Sequence, residues 1–217
     1  MIKAAVFDMD GTVTNTLPTI TNVINRIMAQ EGLAPHSEED MKYMVGNGYK
    51  NLVERAVTKR GGDISRLKSL QDKYLELYSE DYIAGSYIYD GIKEVLLKLK
   101  EKGVKIAVLS NRPHEQTKKV INALLGEDLF DMVCGAVDEF PLKPDTTYLK
   151  HILKTLDVTP GECLYFGDTS TDMETGKNGG LFTVGVLWGF RKRDELEKAG
   201  ADAIIDKTAD IAGFLDR

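Results

Sequence analysis

The strongest constraint on the fold of this 217-residue chain is a recurring pattern of short apolar runs, each closed by polar residues or glycine. The first run, residues 4–7, ends abruptly at Asp8. Between the runs lie segments whose apolar residues recur at helical spacing, as in residues 92–99. Strands that alternate with helices predict an α/β protein, in which a parallel sheet is covered by helices on both faces. The other runs interpreted as strands are 104–109, 132–134, 163–166, 181–187 and 203–205.

Residues 18–83 interrupt this alternation. The segment has no clear strand, and its apolar spacing indicates three helices, with Gly61 and Gly62 separating the last two. A helical insertion after the first strand can close over one edge of the sheet. The chain is therefore predicted to have a Rossmann-like α/β core, residues 1–17 and 84–217, with an inserted helical cap, residues 18–83.

Acidic residues stand where the predicted strands stop. Asp8 and Asp10 follow the first run, Asp168 follows the run 163–166, and Asp172 comes shortly after it. In an open parallel sheet, ligands bind outside the carboxyl ends of the strands, so these acids are expected to share one crevice. The preference of Asp for turns explains any one of them but explains the whole set poorly. Carboxylates gathered in this way favour a hard cation with oxygen ligands, which suits Mg²⁺.

A magnesium site of this kind points to phosphoryl transfer. The ion binds phosphate oxygens, and a carboxylate can attack phosphorus to give an aspartyl-phosphate. Lys143 adds a positive group. Pro144 suits the first position of a helix predicted over residues 145–157, so Lys143 would lie near the N-terminal end of that helix, where its ammonium could reach phosphate. Taken alone, Lys143 also fits a solvent-facing loop.

A second loop offers donors for phosphate. Ser110 and Asn111 follow the run 104–109, and Pro113 suits the first position of the next helix. Backbone N–H groups and the hydroxyl there could hold phosphate oxygens. Ser110 or Asn111 could equally cap the helix, and the two interpretations are compatible.

Charge and composition limit the classes of partner and metal that the chain is expected to bind. The chain carries 28 basic and 34 acidic residues, a net charge of −6, with no strong basic patch, which disfavours nucleic acid and membrane surfaces. Cys134 and Cys163 lie in apolar runs and are expected to be reduced, and the histidines lack zinc spacing. With no secretory pattern and no stretch long enough to span a bilayer, a cytoplasmic location is expected.

Four segments together resemble the haloacid dehalogenase-like hydrolase superfamily. They are residues 8–12 (Asp-Met-Asp-Gly-Thr), Ser110 after a strand, the Lys143-Pro144 pair, and residues 167–172 (Gly-Asp-Thr-Ser-Thr-Asp). They occur in order and at the ends of predicted elements. Each is weak alone, but the combination is specific and spans most of the chain.

The resemblance implies a role for each matching residue. Asp8 would be the nucleophile and a magnesium ligand, and Asp10 the general acid and base, with its carbonyl also on the metal. Asp168 would be a further ligand, and Asp172 would assist the metal or orient Lys143. Lys143 would act on the transferring phosphate. The residues expected to bind that phosphate are Gly11, Thr12, Ser110 and Asn111.

Within the superfamily, the chain looks most like phosphoglycolate phosphatase-like enzymes. The cap carries a glycine loop followed by a helix, residues 45–56, similar to the cap of those enzymes. Its expected substrate contacts are Gly46, Asn47, Gly48 and Arg55, although the glycines could simply separate two helices and Arg55 could lie on a solvated face. The predicted function is a Mg-dependent phosphatase that hydrolyses a small phosphorylated metabolite through an aspartyl-phosphate.

Two other functions share these groups. A sugar-phosphate mutase uses the same nucleophile and acid, but such mutases tend to carry a Gly-x-Ser-Arg-type cap motif that this insertion lacks. A non-enzymatic phospho-acceptor switch also places acids and a lysine at strand ends. The insertion 18–83 and the spacing of Asp8 and Asp10 speak against it.

Overall fold

The computed structural model describes residues 1–215. Its main sheet has six parallel strands: β1 (Ala4–Phe7), β4 (Lys105–Pro113), β5 (Met132–Ala136), β6 (Cys163–Gly167), β7 (Phe182–Val186) and β8 (Ala203–Ile205). A separate pair comprises β2 (Thr14–Asn15) and β3 (Tyr87–Ile88). The order in the main sheet is β5-β4-β1-β6-β7-β8, so the first strand lies at the centre, between β4 and β6.

Alternation along the central strands divides the core in two. On β1, Ala5 and Phe7 pack into one apolar cluster, whereas Ala4 and Val6 pack into another on the opposite face. Side chains of a strand point alternately to the two faces of its sheet, so a strand that is buried throughout must be covered on both. The predicted α/β fold with helices on both faces is confirmed.

Helices cover each face. Those supplying the first cluster are α5 (Ile92–Glu101) and α6 (His114–Leu125), and α7 (Thr147–Thr155) supplies the second. The remaining helices of this part are α8 (Ser170–Asn178) and α9 (Arg193–Lys198), and short 3-10 helices span Pro160–Glu162 and Thr208–Phe214.

The insertion is helical and has its own apolar cluster. Its helices are α1 (Leu17–Gln30), α2 (Glu38–Lys42), α3 (Gly48–Lys59) and α4 (Leu67–Glu80), with a 3-10 turn at Ile64–Arg66. Three of the four helices match the predicted ones; the five-residue α2 is too short to show a helical period. The antiparallel pair of β2 and β3, at the two connections to the core, was also not predicted.

Two predicted helix starts are wrong. The helix expected at residues 145–157 begins at Thr147, because the Asp145 carboxylate accepts the Thr147 N–H at 2.7 Å and shapes the turn before it. Pro113 is not the first residue of α6, since its extended ψ of 137° makes it the end of β4 and the N-cap of the helix. Both loops still lead to the carboxyl edge of the sheet. Among residues 1–215, no helix is long and apolar enough to cross a membrane.

Candidate active site

The ends of the two central strands bring the acids together. Asp8 follows β1 and Asp168 follows β6, and Phe7 is paired with Phe166 in the sheet, so the two acids emerge side by side. Asp172, in the first turn of α8, completes the group. One carboxylate oxygen from each of these three acids lies within 4.8 Å of the others.

Burial makes this group electrostatically unfavourable on its own. Asp8, Asp168 and Asp172 are all buried. Burial, followed by the charge of Asp172, raises the pKa of Asp8 well above its ordinary value and that of Asp168 to about 7. A divalent cation among these oxygens would offset the repulsion, and oxygen-only ligands suit a hard ion. The residues therefore fit the divalent metal that the superfamily resemblance implies.

Backbone contacts hold Asp168 in place. Its Oδ2 accepts the N–H of Phe190 at 2.7 Å, and its Oδ1 accepts the Thr12 hydroxyl at 3.3 Å. A Cβ on Gly11 would lie 2.3 Å from Asp168 Oδ2, and Gly11 has a positive φ of 97°. Only glycine allows the backbone after Asp10 to pass so close to this carboxylate.

Lys143 is a buried cation in which each of the three N–H groups has a hydrogen-bond acceptor. Its Nζ donates to Asp8 Oδ1 at 2.6 Å, to Asp172 Oδ1 at 2.7 Å and to the carbonyl of Leu109 at 2.9 Å. Burial lowers the pKa of Lys143, but the charges of Asp172 and Asp8 outweigh it, and the net pKa is well above its ordinary value. The ammonium group therefore stays charged beside Asp8.

Asp172 is already saturated with hydrogen bonds. Besides Lys143, its Oδ1 accepts the Tyr165 hydroxyl at 3.3 Å, and its Oδ2 accepts the backbone N–H and the hydroxyl of Thr169 at 3.1 and 2.6 Å. A carboxylate oxygen accepts two hydrogen bonds readily, so little capacity is left for a metal. Asp8 Oδ2, by contrast, accepts no hydrogen bond within the described chain.

Asp10 is held by an arginine that sequence reasoning missed as a site residue. Arg112 Nη2 and Nε donate to its two carboxylate oxygens at 2.8 and 3.1 Å, and the Thr16 hydroxyl donates to the same carboxylate. The guanidinium also lies 4.5 Å from the centroid of the Tyr78 ring, a residue of the cap helix α4. No signal for this role was available in the sequence, because the predicted strand 104–109 ends before Arg112, whereas β4 extends to Pro113.

Ser110 and Asn111 reach the same edge at the end of β4. Ser110 is buried, and its hydroxyl accepts the N–H of Arg112 at 3.2 Å. The Asn111 amide donates to the carbonyls of Gly46 and Lys143, both at 3.1 Å, and accepts the Lys143 N–H at 2.8 Å. The Asn111 side chain thus positions two loops and is already fully engaged.

The cap closes a small cavity over these groups. The cavity has a volume of about 50 Å³. Its floor includes Asp8, Asp10, Ser110 and Lys143. Its roof is largely apolar and comes from the cap: Ile20, Val45, Gly46, Gly48, Tyr49, Leu52 and Tyr74.

The predicted cap contacts divide into two groups. Gly46 and Gly48 line the cavity. Asn47 does not; its Oδ1 accepts the Thr171 hydroxyl at 3.1 Å and ties the loop to α8. Arg55 is exposed and donates to the carbonyl of Met44 at 3.2 Å, so it braces the glycine loop from outside.

A further arginine, also missed from the sequence, joins the cap to the core. Arg191 follows β7 and donates to the carbonyls of Lys42 and, at 2.9 Å, Val45. Its guanidinium lies 5.4 Å from the centroid of the Tyr43 ring. These carbonyls lie at the end of α2 and just beyond it, where helix carbonyls are unpaired and a cation is favourable. The bonds hold the glycine loop over the cavity.

The arrangement combines the groups that phosphoryl transfer requires. It has a buried carboxylate with a free oxygen at Asp8, a second carboxylate two residues away, a fixed cation, and a cluster of acids that fits a divalent ion. Burial of Asp8, Lys143, Asp168 and Asp172 strengthens the electrostatic interactions among them.

Known proteins are similar to this chain in sequence and in fold. The family described as haloacid dehalogenase-like hydrolase has a model that matches residues 5–186. A phosphoglycolate phosphatase of Rhodospirillum rubrum is 32% identical over 222 residues, covering 99% of this chain and 91% of that protein. One from Cereibacter sphaeroides is 32% identical, covering 88% and 87%. The crystal structure of a predicted phosphoglycolate phosphatase from Haemophilus somnus 129pt matches with a TM-score of 0.91 at 26% identity, covering 98% and 97%.

Proposed function

The chain belongs to the haloacid dehalogenase-like hydrolase family, and we propose that it is a Mg²⁺-dependent phosphatase acting on a small phosphomonoester through an aspartyl-phosphate. The observation that carries this proposal is the position of Asp8. Its carboxylate follows the central strand and accepts a hydrogen bond from Lys143. A second acid, Asp10, and a cluster of acids that could bind a metal ion lie at the same edge of the sheet. The relatives named phosphoglycolate phosphatase, matched over nearly the whole chain, support a phosphoglycolate-like substrate.

In the first step, an oxygen of Asp8 attacks phosphorus. The bond from phosphorus to the ester oxygen breaks as the new bond to Asp8 forms. Asp10, in its protonated form, donates a proton to the departing oxygen, which leaves as an alcohol. Lys143 sets the orientation of the Asp8 carboxylate and offsets negative charge beside it, and Ser110 offers its hydroxyl to a phosphoryl oxygen.

In the second step, Asp10 acts as the base. It accepts a proton from water, whose oxygen attacks phosphorus. The bond between phosphorus and Asp8 breaks, which releases inorganic phosphate and restores both acids to their starting states. Asp10 Oδ1 accepts hydrogen bonds from Arg112 and Thr16, whereas Oδ2 accepts only the Arg112 Nε–H, so Oδ2 has capacity left for either transfer.

The metal would be held by Asp8, Asp168 and the backbone carbonyl of Asp10. Bound there, Mg²⁺ would offset the charge that accumulates on the phosphoryl oxygens during transfer. We assign Asp172 mainly to orienting Lys143, since its oxygens already accept four hydrogen bonds. Gly11 and Thr12 contribute by shaping the backbone around Asp168.

The division into a core and a cap is part of the proposal. The apolar cluster of the insertion, which Phe190 from the core also joins, supports a cap with its own hydrophobic packing and with connections near residues 17 and 84. The antiparallel pair of β2 and β3 ties these two connections together. Closure of the cap would exclude water during transfer and select the leaving group.

A phosphate-release screen tests the function. Wild-type protein is incubated with a panel of small phosphoesters, including phosphoglycolate, with Mg²⁺ or with EDTA, and Asp8→Asn serves as the matched control. Release of phosphate that requires both Mg²⁺ and Asp8 supports the proposal. An isomerised sugar phosphate would indicate a mutase, and a stable acyl-phosphate without turnover would indicate a phospho-acceptor switch.

A further inference from the structure

The cavity contains two buried cations, and they differ in how many donors are free. All three N–H groups of Lys143 have acceptors. Arg112 has five donors: Nε and Nη2 donate to Asp10, and Nη2 also donates to Thr16 at 3.4 Å. Its Nη1 makes no hydrogen bond of normal distance and angle within residues 1–215, although the side chain is only 5% exposed.

An unpartnered, desolvated guanidinium nitrogen costs free energy, and native proteins seldom leave one. Here the residue lines the cavity between core and cap, so the missing partner can be a bound molecule. A second unpartnered atom, Oε1 of Gln116 in the first turn of α6, is buried in a residue that lines the same cavity. A glutamine amide can offer either an acceptor or, after a flip, a donor.

The guanidinium is rigidly held. The Asp10 carboxylate binds one edge of it, and the Tyr78 ring lies against its face at 4.5 Å. Tyr78 stacks in turn on Tyr74, with 5.8 Å between centroids, and Tyr74 on Tyr49 at 6.0 Å. Core and cap together therefore fix the direction of the open Nη1 edge.

We propose that Arg112 Nη1, assisted by Gln116, is the specificity site for a carboxylate on the leaving group of the substrate. This inference rests on the proposed phosphatase function. A planar carboxylate matches the guanidinium edge and supplies the negative charge that a buried cation favours. Arg112 and Gln116 line the same cavity as Asp8 and Asp10, so a carboxylate on a short leaving group would lie within the space that they border.

The test compares two substrates with the same two-carbon frame: phosphoglycolate, which has a carboxylate, and 2-hydroxyethyl phosphate, which does not. Because Arg112 also contacts Asp10, its replacement slows both substrates, and the informative quantity is the ratio of their kcat/KM values. Arg112→Gln should lower this ratio about 10- to 100-fold, the range for a lost charge-assisted hydrogen bond. Arg112→Lys, which keeps the charge but loses the fork, should give an intermediate ratio.

Gln116→Leu provides a variant that leaves the Asp10 pair intact. It should lower the same ratio about 3- to 10-fold, because only phosphoglycolate carries the carboxylate. Equal losses on both substrates in the Arg112 variants would overturn the inference and leave Arg112 as a positioning residue for Asp10. An unchanged ratio in Gln116→Leu would remove Gln116 from the site.

Binding separates this inference from the proposed function. In an Asp8→Asn background, calorimetric titration with phosphoglycolate should show affinity that Arg112→Gln weakens, whereas binding of 2-hydroxyethyl phosphate should change much less. Wild-type turnover of 2-hydroxyethyl phosphate with no preference for phosphoglycolate would refute the carboxylate site and leave the phosphatase standing. No phosphate release from any ester would refute the phosphatase, and the titration would still decide whether Arg112 binds the carboxylate.

Discussion

The floor and the roof of the cavity are built in different ways. The floor belongs to the core and consists of charged groups whose hydrogen bonds are nearly all assigned, as for Lys143 and Asp172. The roof belongs to the cap and consists of apolar and aromatic side chains with two glycines, Gly46 and Gly48. The floor is rigid because a buried charge must be paired in a fixed geometry, whereas the roof only has to match a shape. We therefore assign the phosphoryl-transfer steps to the floor, and the selection of the substrate to the roof and to the residues where floor and roof meet.

The largest effect is expected from the nucleophile. Asp8→Asn should lower turnover by at least about 10⁴-fold, because an amide oxygen is a poor nucleophile and forms no stable acyl-phosphate. Phosphate release measured in single-turnover mode checks this, and circular dichroism confirms that the variant is folded. Near-normal phosphate release from Asp8→Asn would disprove the mechanism.

The second acid should matter less than the nucleophile. Asp10→Asn should slow both the attack and the hydrolysis of the intermediate by about 10²–10⁴-fold, the usual contribution of a general acid–base group. Rapid-quench measurement of acyl-phosphate formation and decay separates the two steps. If the variant keeps full activity, the role assigned to Asp10 is wrong.

The effect of Mg²⁺ on the free energy of unfolding should depend on the acids in the floor of the cavity and not on acids at the protein surface. At 100 times its Kd, Mg²⁺ should stabilise the wild type by about 2.7 kcal/mol. That corresponds to a rise in Tm of about 5–11 °C for a chain of this size. Asp168→Asn should lose most of this shift, whereas Asp128→Asn, which alters an exposed acid outside the cluster, should keep it. A full shift in Asp168→Asn, measured by calorimetry, would exclude that residue as a ligand.

The smallest effect concerns the roof. Gly46 has a φ of 125°, so Gly46→Ala should distort the glycine loop and raise KM a few-fold with little change in kcat. Gly32→Ala is the matched control, because Gly32 also has a positive φ, 67°, but lies away from the cavity in open space. Both substitutions should lower the free energy of unfolding by about 1–2 kcal/mol. If the two variants have the same KM, the glycine loop does not shape the substrate site.

Local pattern predicted the core more fully than the cap. The run 4–7 and the acid after it could be read directly, since a buried strand must be apolar and its end must be polar. The five-residue α2 and the two-residue strands β2 and β3 escaped, because elements that short carry no measurable period. The helix after Pro144 was predicted too early, because a proline alone does not reveal that Asp145 takes the Thr147 N–H.

The site divides along the same line. By itself, the order of residues determined which acids follow which strands, and parallel topology then required Asp8, Asp10 and Asp168 to reach one edge. Only the tertiary structure decided how those groups are paired: that Arg112 holds Asp10, that Asp172 serves Lys143, and that Arg191 fastens the glycine loop. The physical reason is the sequence separation between the residues that interact. Strand and helix patterns depend on neighbours a few residues apart, whereas a buried charge finds its partner across the whole fold, as Arg112 does with an aspartate at the end of another strand.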